Sequence, residues 1–168
     1  MRFTLEPADH DTDLACDVAS IPLEMAGLPD AGLPAFSKTA FFQFLKSEVV
    51  RANRYNFLVS LLLLQILPTP ESKCETERER LAELAYLLDA TLRTTDFLGS
   101  PDNGLVGIVA PHSDLDTAPR LLQRLQSQSL FAAFRRRTGC DVRAAYSVYP
   151  TDAATITALF DIALDRLR

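Results

Sequence analysis

The sequence predicts an α/β fold of the α+β kind, in which a mixed central β-sheet is flanked by helices. Three observations support this class. Apolar residues recur at helical spacing in several segments, one apolar run is too continuous for a strand with a wet face, and an Asn-Gly pair separates two extended segments. The predicted order is helix, strand, helix, hairpin, helix, strand, helix. A hairpin among βα units implies a mixed sheet with helices packed on its faces.

The first part of the domain follows an irregular N-terminal segment. Residues 1–36 contain several Pro and Gly breakers and are predicted to be an arm or linker, which leaves 37–168 as the folded domain. Ser37 is a plausible N-cap for a helix that runs to about Tyr55. The apolar run Phe57–Leu67 then predicts a strand that is covered on both faces and ends at the prolines that follow.

The second part of the domain is predicted from periodicity and turn signals. A helix is predicted from about Glu71 to Arg93, followed by the extended segments Asp96–Gly99 and Leu105–Ala110, which a turn through Asn103-Gly104 joins. A further helix begins at the capping-box-like pair Ser113 and Asp116. The strand Val142–Tyr149 and a last helix from about Thr151 or Asp152 complete the domain.

Composition excludes several function classes. The chain has 17 basic and 22 acidic residues and a net charge of −5, so a broad attraction to nucleic acid or to an anionic membrane is not expected. Its 3 cysteines are odd in number and lack a CxxC spacing, which argues against a disulfide framework and a zinc site. The longest apolar run is about half of the roughly 20 residues of a membrane span. We therefore expect a cytoplasmic protein without a cofactor.

Three local patterns occur in a fixed order along the chain. Arg51-Ala-Asn-Arg-Tyr55 precedes the apolar strand, Leu92-Arg-Thr-Thr-Asp-Phe-Leu-Gly99 precedes the hairpin, and Asp141-Val-Arg-Ala-Ala-Tyr-Ser-Val-Tyr-Pro-Thr-Asp152 precedes the last helix. In this order and spacing they resemble the GGDEF (diguanylate cyclase) family over roughly residues 33–168. The resemblance implies a nucleotide-cyclase-like fold with a ferredoxin-like core.

The chain departs from that family at the signature hairpin. The family's Gly-Gly-Asp/Glu-Glu-Phe falls on Asp102-Asn-Gly-Leu-Val106 and is replaced at every position. In the family, the glycines let the backbone approach the nucleotide, and the acidic residues hold a divalent metal. Gln65, Ile66 and Leu67 stand where the family has a further metal-binding Asp. We therefore expect a degenerate domain that is not an enzyme, with no catalytic residue and no metal ligand.

One family feature is retained ahead of the hairpin. Arg93-Thr-Thr-Asp96 occupies the place of the family's inhibitory Arg-x-x-Asp site, which binds cyclic di-GMP, and ungapped spacing puts Arg124 at its third position with Arg120 one turn earlier. Arginine forks suit phosphate or the guanine O6/N7 edge, and a carboxylate accepts from the guanine N1–H and amino group. Taken alone the motif is weak, because about one chance match is expected and an exposed helix-end ion pair would also explain it.

The resemblance therefore favours a cyclic di-GMP receptor, a bacterial signalling adaptor whose ligand contacts are Arg93, Asp96, Arg124 and Arg120 and whose output is self-association or docking of a protein partner. The alternative is a ligand-independent interaction module built on the cyclase scaffold. A third class is a residual enzyme that acts on GTP. A thermal shift with cyclic di-GMP separates the first of these from the second, for which a co-purifying partner is expected instead.

Overall fold

The computed structural model of the chain describes residues 37–127 and 129–168, and the arm predicted over residues 1–36 lies outside them. The described elements are, in chain order, α1 Lys38–Tyr55, β1 Leu58–Leu67, α2 Glu77–Asp89, β2 Phe97–Asp102, β3 Leu105–Ser113, α3 Thr117–Ser127, α4 Leu130–Thr138, β4 Asp141–Tyr149 and α5 Ile156–Leu167.

The strands form one four-stranded sheet in the order β2-β3-β1-β4. After α1, the chain follows a β-α-β-β-α-β path, which with this strand order is the ferredoxin-like arrangement. The predicted class, with helices flanking a central sheet, is confirmed. All three strand pairings are antiparallel, so the prediction that the sheet is mixed is wrong. The parallel strands β1 and β2, which α2 connects, are not neighbours, because the hairpin places β3 between them.

Helices cover both faces of the sheet, and β1 is buried between them. Leu61 and Leu63 belong to the core under α1 and α5, whereas Leu62 and Leu64 belong to the core under α2, α3 and α4. All four side chains are fully buried. Burial of a leucine stabilises the fold by about 1.5–3 kcal/mol relative to its exposure. The prediction of a strand covered on both faces is therefore confirmed.

The helix α2 is shorter than its periodicity predicts. It begins after a capping box, in which the Thr76 hydroxyl accepts from the Glu79 amide at 3.2 Å and the Glu79 carboxylate accepts from the Thr76 amide at 3.4 Å. The helix ends at Asp89. The predicted start near Glu71 and end at Arg93 are therefore wrong, and Arg93 lies in the turn that leads into β2.

Candidate functional site

The Arg-x-x-Asp segment forms a turn between α2 and β2. The Asp96 amide donates to the Arg93 carbonyl at 3.0 Å, and the Asp96 carboxylate accepts from the Arg93 amide at 2.9 Å. The carboxylate thus fixes the backbone of the turn rather than forming an ion pair along a helix. The Arg93 side chain is exposed and Asp96 is half-buried. A carboxylate has about four lone-pair sites, so this one bond leaves acceptor capacity on Asp96.

Two further arginines come from α3, one turn apart. Arg124 donates from its guanidinium group to the Thr91 carbonyl at 3.0 Å, which ties α3 to the chain just ahead of the Arg93 turn. Arg120 donates to the Asp116 carboxylate at 2.9 Å, and these side chains are 71% and 67% exposed. A pair as exposed as this contributes about 0–1 kcal/mol, so an anionic ligand can compete for Arg120.

The structure brings all four predicted residues together. Arg93, Asp96, Arg120 and Arg124 line one cavity of about 380 Å³, although the Arg93 turn and α3 are separated in sequence by the whole β2–β3 hairpin. Asp114 also lines this cavity. The lining therefore holds three arginines and two aspartates, a formal charge of +1 in a chain whose net charge is −5. This local excess suits a small anion.

The loop before α3 is organised by Asp114 rather than by Ser113. The Asp114 carboxylate accepts from the Thr117 hydroxyl at 2.7 Å and from the Asp116 amide at 3.1 Å. The Thr117 hydrogen bond lowers the pKa of Asp114 below its usual value, and nearby Arg120 lowers this pKa further. Ser113 is buried and hydrogen-bonded to β-strand backbone, so the predicted capping pair of Ser113 and Asp116 is wrong.

Sequence reasoning missed part of the cavity lining. His112, Asp114 and Thr117 all contribute to it, and the sequence assigned them no ligand contact. Their position carries a signal: they lie between the exit of β3 and the first turn of the helix that holds Arg120 and Arg124. A loop that leads into a helix with cavity-lining side chains is expected to border the same cavity.

Two carboxylates lie at the signature hairpin, one from the hairpin itself and one from α2. Glu77, at the start of α2, accepts a hydrogen bond from the Gly104 amide at the hairpin turn, and Asp102 lies 3.5 Å from the Lys38 ammonium. Gln65 pairs in register with Leu105. Nowhere in residues 37–127 and 129–168 do three or more His, Cys, Asp or Glu side chains cluster as metal ligands would. The two carboxylates at the described hairpin each have a partner within the fold, Glu77 in the Gly104 amide and Asp102 in the Lys38 ammonium.

Known proteins resemble the chain at the level of structure. No family model matches the chain, and no curated protein matches it. A microbial GGDEF domain described for its interaction mode with bis-(3,5)-cyclic di-GMP is 20% identical, with a TM-score of 0.63 over 87% of this chain and 91% of that one.

Among the helices of the described ranges, none is long and apolar enough to cross a membrane.

Two further GGDEF-type structures have the same fold. The GGDEF domain of DgcB from Caulobacter crescentus, solved in complex with c-di-GMP, is 14% identical, with a TM-score of 0.63 over 84% of this chain and 88% of that one. A DGC protein from Thermotoga maritima is 17% identical, with a TM-score of 0.61 over 79% of this chain and 92% of that one.

These comparisons correct one sequence-based expectation, that the chain is not an enzyme. Its structural neighbours are diguanylate cyclase domains, so the fold is that of a cyclase family. The expectation depended on aligning a few hairpin positions residue by residue. At 14–20% identity the pattern of buried residues is enough to preserve the fold, but it does not determine which exposed residue of one chain corresponds to which of the other. This chain has the fold of GGDEF domains, as the sheet order, the two helical layers and the structural neighbours together establish.

Proposed function

We propose that this domain binds cyclic di-GMP in the cavity lined by Arg93, Asp96, Arg120 and Arg124. One observation carries the proposal: the four residues that the resemblance singles out, from a turn and from a distant helix, line the same cavity. Chance placement of an isolated Arg-x-x-Asp would not bring two arginines of α3 to it. Two of the structural neighbours were studied with the same cyclic dinucleotide, which supports this choice of ligand.

Each side chain has a contact that matches the ligand's chemistry. Arg93 and Arg120 are exposed at the cavity, and their planar guanidinium groups suit the phosphates or the O6/N7 edge of a guanine. Arg124 is half-buried and held against the Thr91 carbonyl, so it approaches the ligand from a fixed position. The Asp96 carboxylate accepts from the guanine N1–H and amino group, which distinguishes guanine from adenine.

Electrostatics favours a dianionic ligand at this place. Cyclic di-GMP carries two phosphodiester charges, and the cavity lining carries a formal charge of +1 within an acidic chain. On binding, a ligand phosphate becomes a partner of Arg120, whose present ion pair with Asp116 is exposed to solvent. Because the arginines are at least partly exposed, we expect the affinity to fall as ionic strength rises.

The proposed output is association that depends on the ligand. A cyclic dinucleotide presents two guanines and two phosphates, so a ligand held at one surface can also contact a second copy of the domain or another protein. In sedimentation experiments, we expect added cyclic di-GMP to increase the average mass of the species that contain this domain. An unchanged mass at saturating ligand would limit the function to binding.

The test is calorimetric titration with cyclic di-GMP, with Arg93→Ala as the variant and Arg168→Ala as the matched control. Arg168 is an exposed arginine that pairs with Asp165 on α5, the helix on the opposite face of the sheet. We expect micromolar or tighter binding by the wild type and by Arg168→Ala. Loss of a charge-assisted contact in Arg93→Ala should weaken the affinity by about 2 kcal/mol, roughly thirtyfold.

Two controls separate this site from other modes of action. GTP is titrated in parallel, and any heat it gives should be the same in the wild type and in Arg93→Ala, because the variant changes only the proposed cyclic dinucleotide cavity. Equal cyclic di-GMP affinity in all three proteins would refute the site. No binding by the wild type would refute the function, and a protein that co-purifies with the ligand-free domain would then favour an interaction module.

A further inference from the structure

The last residues of β3 depart from regular strand geometry. In the pairing of β1 with β3, Ser60 lies opposite Ala110 and Leu58 lies opposite Ser113, so β3 contains one more residue than β1 over this stretch. His112 lies within this bulge and has a φ of +52°, in the left-handed region that residues other than glycine seldom adopt. A bulge changes the direction of a side chain, and bulges are frequent beside binding sites.

A buried serine, Ser113, stabilises the bulge through its hydroxyl group. The Ser113 hydroxyl donates to the Ala110 carbonyl and accepts from the Ser60 amide at 3.1 Å, so it closes the extra loop of backbone. Ser113 is 8% exposed, whereas His112 is exposed. The fold thus holds a strained backbone conformation in place and presents an imidazole ring at the surface.

The imidazole ring already takes part in a stack. The His112 and Phe57 rings are 3.9 Å apart between centroids with an interplanar angle of 28°. His112 also borders two neighbouring spaces: the proposed ligand cavity, and a groove of about 640 Å³ that Phe57 and Leu115 also line. One face of the imidazole lies against Phe57, and His112 is exposed in the lining that also contains the three arginines.

We propose that the His112–Phe57 stack is a platform for one purine base of the cyclic dinucleotide, a specificity determinant that rests on the function proposed above. The ligand has two guanines, and Asp96 can read the hydrogen-bonding edge of one of them. The second base then lies over the exposed face of the imidazole at the border of the two spaces. Stacking on an aromatic side chain recognises the flat face of a base, so it adds affinity for dinucleotides over mononucleotides.

The test uses His112→Asn, with Leu115→Asn as the matched control. Asparagine tolerates a positive φ, so His112→Asn removes the ring while keeping the bulge. Leu115 is 59% exposed in the same groove and is not part of the stack. The probes are cyclic di-GMP and its analogue with one guanine replaced by 2-aminopurine, whose fluorescence falls when the base stacks on an aromatic ring.

Fluorescence of the analogue should fall on binding to the wild type and to Leu115→Asn, and this quenching should be largely lost in His112→Asn. The same variant should bind cyclic di-GMP about tenfold more weakly, as expected when one stacked base is lost, while Leu115→Asn changes the affinity less than twofold. Equal affinity and equal quenching in His112→Asn and the wild type would overturn the platform and leave the arginine site standing. A wild type that binds neither probe would overturn both proposals.

Discussion

Gly139 should be sensitive to substitution by alanine, and a second glycine with a similar backbone conformation provides its control. Gly139 ends α4 at a φ of +70°, with its amide donating to the Arg135 carbonyl at 2.8 Å. A Cβ atom at this position would lie 2.1 Å from the Glu71 carbonyl oxygen. Gly104, in the β2–β3 turn, has a nearly equal φ of +69°, and a Cβ atom there would have no heavy atom within 4 Å.

The two substitutions separate backbone strain from steric overlap. In both Gly→Ala variants the left-handed conformation costs about 1–2 kcal/mol, and the smaller entropy of the unfolded chain offsets part of that cost equally. Only Gly139→Ala must also displace backbone, which costs about 1–3 kcal/mol more. The displaced segment is anchored, since the Thr69 hydroxyl donates to the Gly139 carbonyl and the Lys73 amide donates to the Thr138 carbonyl at 2.7 Å.

The assay is urea unfolding followed by circular dichroism for the wild type and both variants. We expect Gly139→Ala to lose about 2 kcal/mol more unfolding free energy than Gly104→Ala, at an unchanged dependence on urea concentration. In thermal unfolding this difference corresponds to a melting temperature lower by about 8 °C. Equal losses in the two variants would refute the argument that backbone at Glu71 packs against Gly139.

Three further changes test other parts of the structure. Thr76→Ala should lower the free energy of unfolding by about 1 kcal/mol, because it removes the hydroxyl of the α2 capping box, and a loss below about 0.3 kcal/mol in urea unfolding would contradict that role. Hydrogen bonding from Arg166 lowers the pKa of Asp152, so the stabilisation by this carboxylate is present at neutral pH and is lost as the pH falls through its lowered pKa. Asp152→Asn should therefore lower the free energy of unfolding by about 1–2 kcal/mol at pH 7. The difference in unfolding free energy between this variant and the wild type should shrink below about pH 4, and a difference independent of pH would contradict the assignment. Asp96→Asn can still accept from the Arg93 amide, so it should keep the wild-type melting temperature while it weakens calorimetric binding of cyclic di-GMP about tenfold; unchanged affinity would argue against guanine recognition by this carboxylate.

Local patterns in the sequence were enough to predict much of the fold. The first helix, capped by Ser37, starts where predicted, and the continuous apolar run became the central strand β1. The Asn103-Gly104 pair forms the turn of the hairpin. These elements depend on neighbouring residues and on burial of whole faces, which periodicity records.

Long-range contacts decided what the sequence could not predict. The segment from Thr69 to Lys73 packs against the α4–β4 connection, so α2 begins only at Glu77. The bulge that presents His112 exists because β3 pairs with β1, and neither strand alone indicates it. The resemblance to the family's inhibitory site singled out the four residues that line the cavity, whereas periodicity wrongly placed Arg93 on a helix. Its actual conformation depends on the turn that Asp96 closes.

The most direct test of the central claim is to map cyclic di-GMP binding by amide chemical shifts in the isotope-labelled protein. Binding in the proposed cavity should shift the Arg93 and Asp96 amides, whose turn is closed by the Asp96 carboxylate, together with amides from His112 to Arg124. Amides of α5, on the opposite face of the sheet, should not move. Saturable shifts confined to these two segments would support the site. No shifts, or shifts centred on another surface, would contradict it.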